Sequence, residues 1–195
     1  DDVQYALGYH VMPKDMARSG QIIAQINWTA CTLMEGEIRG LAAHGSQPHL
    51  GVNAIDAGAA IVNAINALHS NPLLGGSIKT TRFMGGAGSL NAICDKVSIG
   101  FDLRSTSNAE MLVLRRKVED IVVNTAKVYG AEADCHIVGT CPAAEADPSL
   151  LALTQEVISA ELGAGGLIPA ANITVGEDFN FFKQERPQLK TASLG

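Results

Sequence analysis

The length, composition and charge of the chain narrow its class before any motif is considered. With 195 residues, of which 47% are hydrophobic and 17% charged, it can bury a sizeable core, which excludes a disordered, collagen-like or highly charged protein. A net charge of −6 without a lysine–arginine cluster argues against nucleic acid or an anionic membrane as a partner. The longest apolar run, residues 58–62, is far shorter than the roughly 20 residues that span a bilayer. We therefore predict a globular protein that acts on a small molecule and has no membrane span.

The cysteines and the two ends of the chain give further expectations. Four cysteines occur without a Cys-x-x-Cys spacing, so neither a structural zinc site nor a redox motif is predicted. Four reduced thiols are typical of a cytoplasmic protein. The chain begins at Asp1 without a methionine and stops at Gly195 directly after an apolar-leaning segment. From this we expect a fragment of a longer protein.

The first part of the chain alternates between the periodicities of strand and helix. Residues 21–27 and 33–41 are predicted strands. Apolar residues then recur at helical spacing over residues 53–68, and this helix opens with a capping-box-like pair. Residues 78–84 and 97–104 return to strand periodicity, and the second of these alternates cleanly between apolar and polar residues.

The rest of the chain completes a recognisable order of elements. A capping box, Ser107-x-x-Glu110, opens a helix that ends at Gly130, and residues 131–138 form another alternating strand. The order strand, helix, strand, strand, helix, strand is that of a ferredoxin-like domain. A third helix begins at Asp147-Pro148, with the aspartate as cap, and runs to Leu162.

These elements predict an α/β (α+β) protein with an inserted domain. Residues 32–142 form the ferredoxin-like βαββαβ domain. Residues 1–31 and 143–195 are expected to be two parts of a second α/β domain into which it is inserted.

One histidine, His44, stands where the second predicted strand runs into a turn rich in glycine and proline. An imidazole held in such a turn is exposed and aimed, so it can bond an oxyanion or a substrate carbonyl. The alternative is a turn histidine whose ring is satisfied by a backbone carbonyl. A metal pair with His49 is disfavoured, because Pro48 prevents a helix that would bring both rings to one face.

Asn91 and Arg104 form a second candidate site. Asn91 follows a loop rich in glycine, residues 85–90, which lacks the Lys-Ser/Thr pair of a phosphate-binding loop and precedes a strand. Nucleotide binding is therefore excluded. An amide and a guanidinium that converge form a clamp for a carboxylate, because arginine bonds both oxygens at once. A turn asparagine and a surface arginine are the alternative.

The second predicted domain, formed by residues 1–31 and 143–195, contains two further candidate binding positions. His10 ends a short apolar segment, where a packed core histidine is the alternative to a ligand. Glu177 and Asp178 follow the predicted strand 171–175, and strand ends in α/β domains are where ligands bind. Helix capping by Asp178, with Glu177 in the solvated first turn, is the alternative.

The order of these motifs resembles the aminoacylase and hippurate-hydrolase family over nearly the whole chain. The matching stretches are Gly-Tyr-His-Val-x-Pro at His10, Ala-Ala-His-x-x-x-Pro-His-Leu-Gly-x-Asn-Ala-Ile-Asp-Ala at His44, Asn91 with Asp102-Leu103-Arg104, and Gly-Glu-Asp-Phe at Glu177. The most similar branch contains bacterial amidohydrolases that act on N-acyl amino acids. Cys94 departs from the pattern, because the family usually has proline at this position.

The resemblance implies a metal-dependent amidohydrolase that cleaves the amide bond of N-acyl amino acids or related small amides. Two divalent ions, zinc with manganese or cobalt as alternatives, would activate a bridging water, and His10 would be one metal ligand. The ferredoxin-like domain would be the lid through which two copies form a homodimer. His44 would act in the active site of the partner subunit, and Asn91, Arg104 and Glu177 would bind the substrate.

The family's other metal ligands and its general base would lie before Asp1 and after Gly195. Since a catalytic zinc site needs about three protein ligands, the resemblance predicts that this chain alone is inactive and holds no stoichiometric metal. A rival hypothesis is a stand-alone ferredoxin-like regulatory or oligomerisation module that binds a small ligand. Flexible linkers on both sides would favour that module, whereas the flanks here are predicted to be rich in helix and strand.

Overall fold

The computed structural model of the protein describes residues 2–195, which divide into two compact units. The inserted unit comprises residues 31–105 and 109–140, and the flanking unit comprises residues 2–30, 106–108 and 141–195. In chain order the elements are β1 (Tyr5–Tyr9), β2 (Ile22–Ile23), β3 (Ile26–Trp28), β4 (Ala30–Arg39), α1 (Ala54–Asn66), β5 (Gly76–Gly85), β6 (Lys96–Ser105), α2 (Asn108–Val128), β7 (Glu132–Cys141), α3 (Pro148–Leu162), β8 (Leu167–Ile168), β9 (Ala171–Ile173), α4 (Phe181–Glu185) and β10 (Lys190–Leu194).

The inserted unit is a four-stranded sheet with two helices, in the strand order β5-β6-β4-β7. Strands β5 and β6 are antiparallel. Taken with the chain order β4, α1, β5, β6, α2, β7, this confirms the predicted ferredoxin-like fold. The observed strands begin or end up to three residues beyond the predicted bounds, as Ala30–Arg39 does against 33–41.

The core of the inserted unit lies on one face of β6. Its alternate residues Val97, Ile99, Phe101 and Leu103 are all buried, as are apolar side chains of α1 and α2. Helix α1 starts at Asn53, whose side chain accepts a hydrogen bond from the backbone N–H of Ile55 at 3.1 Å. The predicted cap of this helix is therefore confirmed, and the strand alternation sends Asp102 and Arg104 away from the core.

The flanking unit contains three separate parallel strand pairs: β1 with β10, β2 with β8, and β3 with β9. The single strand predicted for residues 21–27 is wrong, because β2 and β3 are two short strands with different partners. The segment that pairs with residues 22–28 explains why the strand is divided in two. Pro169 lies between β8 and β9, and proline has no N–H to continue a ladder.

Helix α3 has the predicted start. The Oδ1 atom of Asp147 accepts from the backbone N–H groups of Ser149 and Leu150, each at 3.0 Å. The helix ends at Gly163, whose φ of +71° suits glycine. No helix within residues 2–195 has both the length and the apolar character needed to cross a membrane.

Candidate functional site

The loop that carries His44 is fixed where it leaves β4. Leu41 and Val52 exchange two backbone hydrogen bonds of 2.9 Å each. A Cβ atom on Gly40 would collide with the carbonyl oxygen of Val52, so only glycine allows the two segments to approach this closely. The exposed segment between Leu41 and Val52 is therefore anchored at both of its ends.

His44 lies directly against Asn91, although the two residues are 47 apart in the chain. The N–H of Gly45 donates to the carbonyl of Asn91 at 2.6 Å, and the N–H of Ile93 donates to Ala43 at 2.8 Å. These bonds place the Nε2 atom of His44 3.2 Å from the Asn91 amide nitrogen. The predicted site residues His44 and Asn91 thus come together in one exposed pair.

The other ring nitrogen of His44 contacts Ser46. Its Nδ1 atom lies 3.1 Å from the backbone nitrogen of Ser46 and 2.7 Å from the Ser46 hydroxyl. The ring is therefore held by an N–H donor, not by a backbone carbonyl as in the turn-histidine alternative. Ser46 is a contact that sequence patterns do not reveal, because it depends on the turn geometry.

The loop that carries Asn91 is tied together by the thiol of Cys94. Cys94 is 3% exposed. Its sulfur accepts from the N–H of Gly86 at 3.2 Å and lies 3.1 Å from the carbonyl of Lys96. At the tip of the loop, the N–H of Ala92 donates to the carbonyl of Ser89 at 3.2 Å, which closes a turn around Asn91. Where the resembling family usually has proline, this chain thus fixes the loop through a buried thiol.

Arg104 forms a bidentate ion pair with Asp102, two residues earlier on β6. The Nε and Nη2 atoms of Arg104 lie 2.6 and 2.9 Å from the two carboxylate oxygens of Asp102. Both side chains are partly buried, with exposed fractions of 28% and 29%. Because a guanidinium is planar, this pair sets the plane of Arg104 and the direction of its other N–H groups.

In the flanking unit, His10 is fixed directly after β1. Its backbone N–H donates to Leu194 at 2.9 Å, and its ring packs edge-on against Trp28 with 5.3 Å between centroids. The Nδ1 atom lies 3.0 Å from the carbonyl oxygen of Val11, so this nitrogen donates. A backbone carbonyl on one ring nitrogen is the usual companion of a metal ligand, because it leaves the Nε2 lone pair for the metal.

Glu177 caps the short 3₁₀ helix Asp178–Asn180. Its Oε1 atom accepts from the N–H of Phe179 at 3.3 Å, so the predicted alternative of capping by Asp178 is wrong in its choice of residue. Phe179 packs against β1, where a Cβ atom on Gly8 would lie 3.0 Å from its ring. This contact places the Gly-Glu-Asp-Phe segment next to β1 at Gly8, which is two residues before His10 in the chain.

The described residues do not by themselves form the metal centre that the resemblance implies. His10 presents a suitable nitrogen. However, no group of three or more His, Cys, Asp or Glu side chains is placed to hold a metal ion within residues 2–195. A catalytic zinc site needs about three protein ligands. His10 therefore fits one position of such a site, and the remainder of the ligand set is not formed by these residues.

A comparison with known families places this fold. Residues 30–130 match the family model described as the M20 peptidase dimerisation domain. This match covers more than half of the chain, and the chain belongs to this family.

Individual relatives extend over nearly the whole chain. An uncharacterised hydrolase of Sinorhizobium fredii is 29% identical over 94% of this chain and 46% of its own length. An Arabidopsis thaliana protein described as an IAA-amino acid hydrolase, ILR1-like 4, is 23% identical over 96% of this chain and 44% of its own. The chain spans about half the length of the curated relatives it matches.

Two solved structures show the same fold. A candidate aminohydrolase from methicillin-resistant Staphylococcus aureus superposes with a TM-score of 0.86 at 25% identity, over 100% of this chain and 50% of that one. The YXEP protein of Bacillus subtilis, described as a dinuclear metal-binding peptidase of the M20 family, gives a TM-score of 0.74 at 19% identity. That match covers 96% of this chain and 46% of the Bacillus chain.

Proposed function

We propose that the whole protein is a metal-dependent amidohydrolase that cleaves N-acyl amino acids, and that this chain supplies its dimerisation domain and a histidine for the partner's active site. The observation that carries the proposal is the His44–Asn91 pair, held in a fixed loop at the exposed end of β4. The names of the Sinorhizobium and Arabidopsis relatives support hydrolysis, and the second supports an amino acid conjugate as substrate.

His44 has the chemistry of an oxyanion donor. An imidazole N–H that faces the substrate carbonyl stabilises the negative charge that develops on its oxygen, and a donor of this kind contributes ~3–4 kcal/mol to catalysis. His44 is exposed in the single chain. A hydrogen bond in water adds little, so the contribution requires a second subunit that covers the pair and excludes water.

The other predicted site residues have separate roles in this proposal. Arg104, held by Asp102, binds the substrate carboxylate, which selects amides of amino acids over simple amides. Asn91 precedes the other end of β6, where Lys96 is eight residues or roughly 26 Å from Arg104 along the strand, so within one chain the two predicted partners do not converge. Glu177 contributes to substrate binding beside β1. His10 is one ligand of a dinuclear metal centre, for which the description of the Bacillus structure is the support. Such a centre would supply an activated water.

The setting of the proposed enzyme follows from the cysteines and the flanking unit. We propose a cytoplasmic protein, since none of the four cysteines, all within the described residues, forms a disulfide. A homodimer is proposed because the chain belongs to a dimerisation-domain family. The compact flanking unit with its own helices and strands supports a divided catalytic domain over the rival stand-alone regulatory module.

The test of this proposal is a His44→Ala substitution in the whole protein, assayed on N-acetyl amino acids. Loss of one oxyanion donor is expected to lower kcat by about 10²–10³ with a small change in KM. His49→Ala is the matched control, because it removes an exposed histidine from the same segment. A kcat within about twofold of the parent enzyme would contradict the oxyanion role, and absence of hydrolysis by the parent enzyme would contradict the substrate class.

A further inference from the structure

The contacts of His44 determine which of its ring nitrogens carries the proton. The backbone N–H of Ser46 points at Nδ1 from 3.1 Å, and a backbone N–H can only donate. Nδ1 must therefore accept. A neutral imidazole has a single N–H, so in this ring the proton is on Nε2. The Ser46 hydroxyl, 2.7 Å from Nδ1, donates to the same lone pair.

The position of the proton on Nε2 then fixes the orientation of the Asn91 amide. The Nδ2 atom of Asn91 lies 3.2 Å from Nε2 of His44. If Nε2 carries the proton, two N–H donors would face each other with no acceptor between them. Rotation of the amide by half a turn exchanges its oxygen and nitrogen and resolves the conflict. Asn91 Oδ1 then accepts from His44 Nε2, and Asn91 Nδ2 donates to the Ser89 hydroxyl, which lies 2.5 Å from the other end of the amide.

We propose that Ser46 is a positioning residue that holds His44 as its Nε2–H tautomer, and that the Asn91 carbonyl oxygen occupies the place that a substrate oxyanion takes. With the proton on Nδ1 instead, His44 would present a lone pair to the oxyanion and repel it. The exposed Nε2–H is therefore already formed before substrate binds. The oxyanion part of this inference rests on the proposed function, whereas the tautomer part does not.

The tautomer is measured by two-bond ¹H–¹⁵N correlation NMR on the 195-residue chain with labelled histidine, at a pH where the rings are neutral. The two tautomers differ in which nitrogen has the pyridine-like shift, and a spectrum of His44→Ala assigns the signals. We expect His44 to be almost entirely Nε2–H, with the Nδ1 signal displaced towards that of a hydrogen-bonded nitrogen. His49 provides an internal reference for an exposed ring in the same spectrum.

Variants separate the backbone donor from the hydroxyl. Ser46→Ala keeps the N–H and is expected to retain the tautomer, whereas Ser46→Pro removes both donors and is expected to increase the Nδ1–H share. Asn91→Asp has nearly the same shape and can only accept, so it is expected to retain the Nε2–H form whether or not the proline variant folds. A large Nδ1–H population at His44 in the parent chain, or a change to Nδ1–H in Asn91→Asp, would overturn the inference.

Activity measurements test the link with catalysis. In the whole protein, Ser46→Pro is expected to lower kcat at least about tenfold with KM nearly unchanged, and Ser46→Ala is expected to stay close to the parent. Equal kcat in Ser46→Pro and the parent would overturn the positioning role. If the parent hydrolyses no N-acyl amino acid, the proposed function fails while the NMR result still decides the tautomer.

Discussion

At the scale of single residues, the Asp102–Arg104 pair makes a prediction about substrate binding. Because both carboxylate oxygens of Asp102 hold the guanidinium, loss of that carboxylate removes the bidentate contact that sets the plane of Arg104. We expect Asp102→Asn in the whole protein to raise KM for an N-acyl amino acid about tenfold, with a smaller effect on kcat. Arg104→Leu is expected to raise KM further. Steady-state kinetics on acyl amino acids and on the matching simple amides measure both effects.

The control for this prediction is Glu35→Gln. Glu35 pairs with Arg82 at 3.0 Å, and the side chains of these two residues are 40% and 41% exposed. Its loss breaks an ion pair of the same sheet without touching Arg104. An unchanged KM in Asp102→Asn and Arg104→Leu would remove both residues from the proposed carboxylate site.

The sequence predicts where the candidate side chains lie on strands and loops, but it predicts only some of their contacts. The motif at His44 and the alternation around Arg104 locate both side chains, since each depends on local periodicity. The contact of His44 with Asn91 depends on pairing between segments 47 residues apart, which has no local signal. The same holds for the thiol of Cys94, whose two partners belong to the ends of a loop.

At the scale of elements, the cap of α3 makes a prediction about pH. Hydrogen bonds from the Ser149 hydroxyl and from the backbone N–H groups of Leu150 and Ser149 lower the pKa of Asp147. A carboxyl whose folded pKa is lowered adds stability above its unfolded pKa, and this contribution is lost as the pH falls through the folded value. We therefore expect Asp147→Ala to lower Tm by a few degrees at pH 7 and to approach the parent at an acid pH below the ordinary range of an aspartate carboxyl.

Thermal unfolding of the chain followed by circular dichroism at the two pH values measures this effect. Glu156→Gln is the control, because it removes an exposed carboxylate from the middle of the same helix. An Asp147→Ala destabilisation that is equally large at both pH values would mean that the cap acts without its charge.

Elements with strong local signals were predicted well, and those defined by partners were not. The caps Asn53 and Asp147 mark both of their helices correctly, because a cap is satisfied within three residues. The division between β2 and β3 escapes prediction, since it reflects Pro169 in a distant partner segment. Strand β9 likewise ends at Ile173, two residues before the predicted end.

At the scale of the whole molecule, two neighbouring surfaces of the inserted unit suit contact with a second copy. Helix α1 has one charged residue, Asp56, among its 13 residues, which is unusual for a helix with an exposed side. Strand β5 is an edge of the sheet and exposes Phe83 and Met84. A sheet edge beside a helix with a single charged residue favours an isologous interface in which two sheets or two helices meet.

A dimer of this kind makes a prediction about where His44 acts. If His44 serves the partner's active site, a His44→Ala subunit keeps its own metal ligand and needs only the histidine of its neighbour. A His10→Ala subunit lacks the metal ligand but still offers His44. Each variant alone is expected to be inactive, whereas mixed dimers regain one competent site. Random exchange of equal amounts makes half of the dimers mixed, so about a quarter of the parent activity is expected.

Differently tagged subunits of the whole protein, unfolded together and refolded, allow mixed dimers to be isolated and assayed. The control is a mixture of His44→Ala with a double variant, His10→Ala and His44→Ala, in which no dimer has a competent site. If the isolated mixed dimers remain as inactive as this control, His44 does not act across the interface, and its role must be sought within its own subunit. Recovered activity would make dimer formation part of catalysis, because the donor and the metal ligand would then belong to different chains.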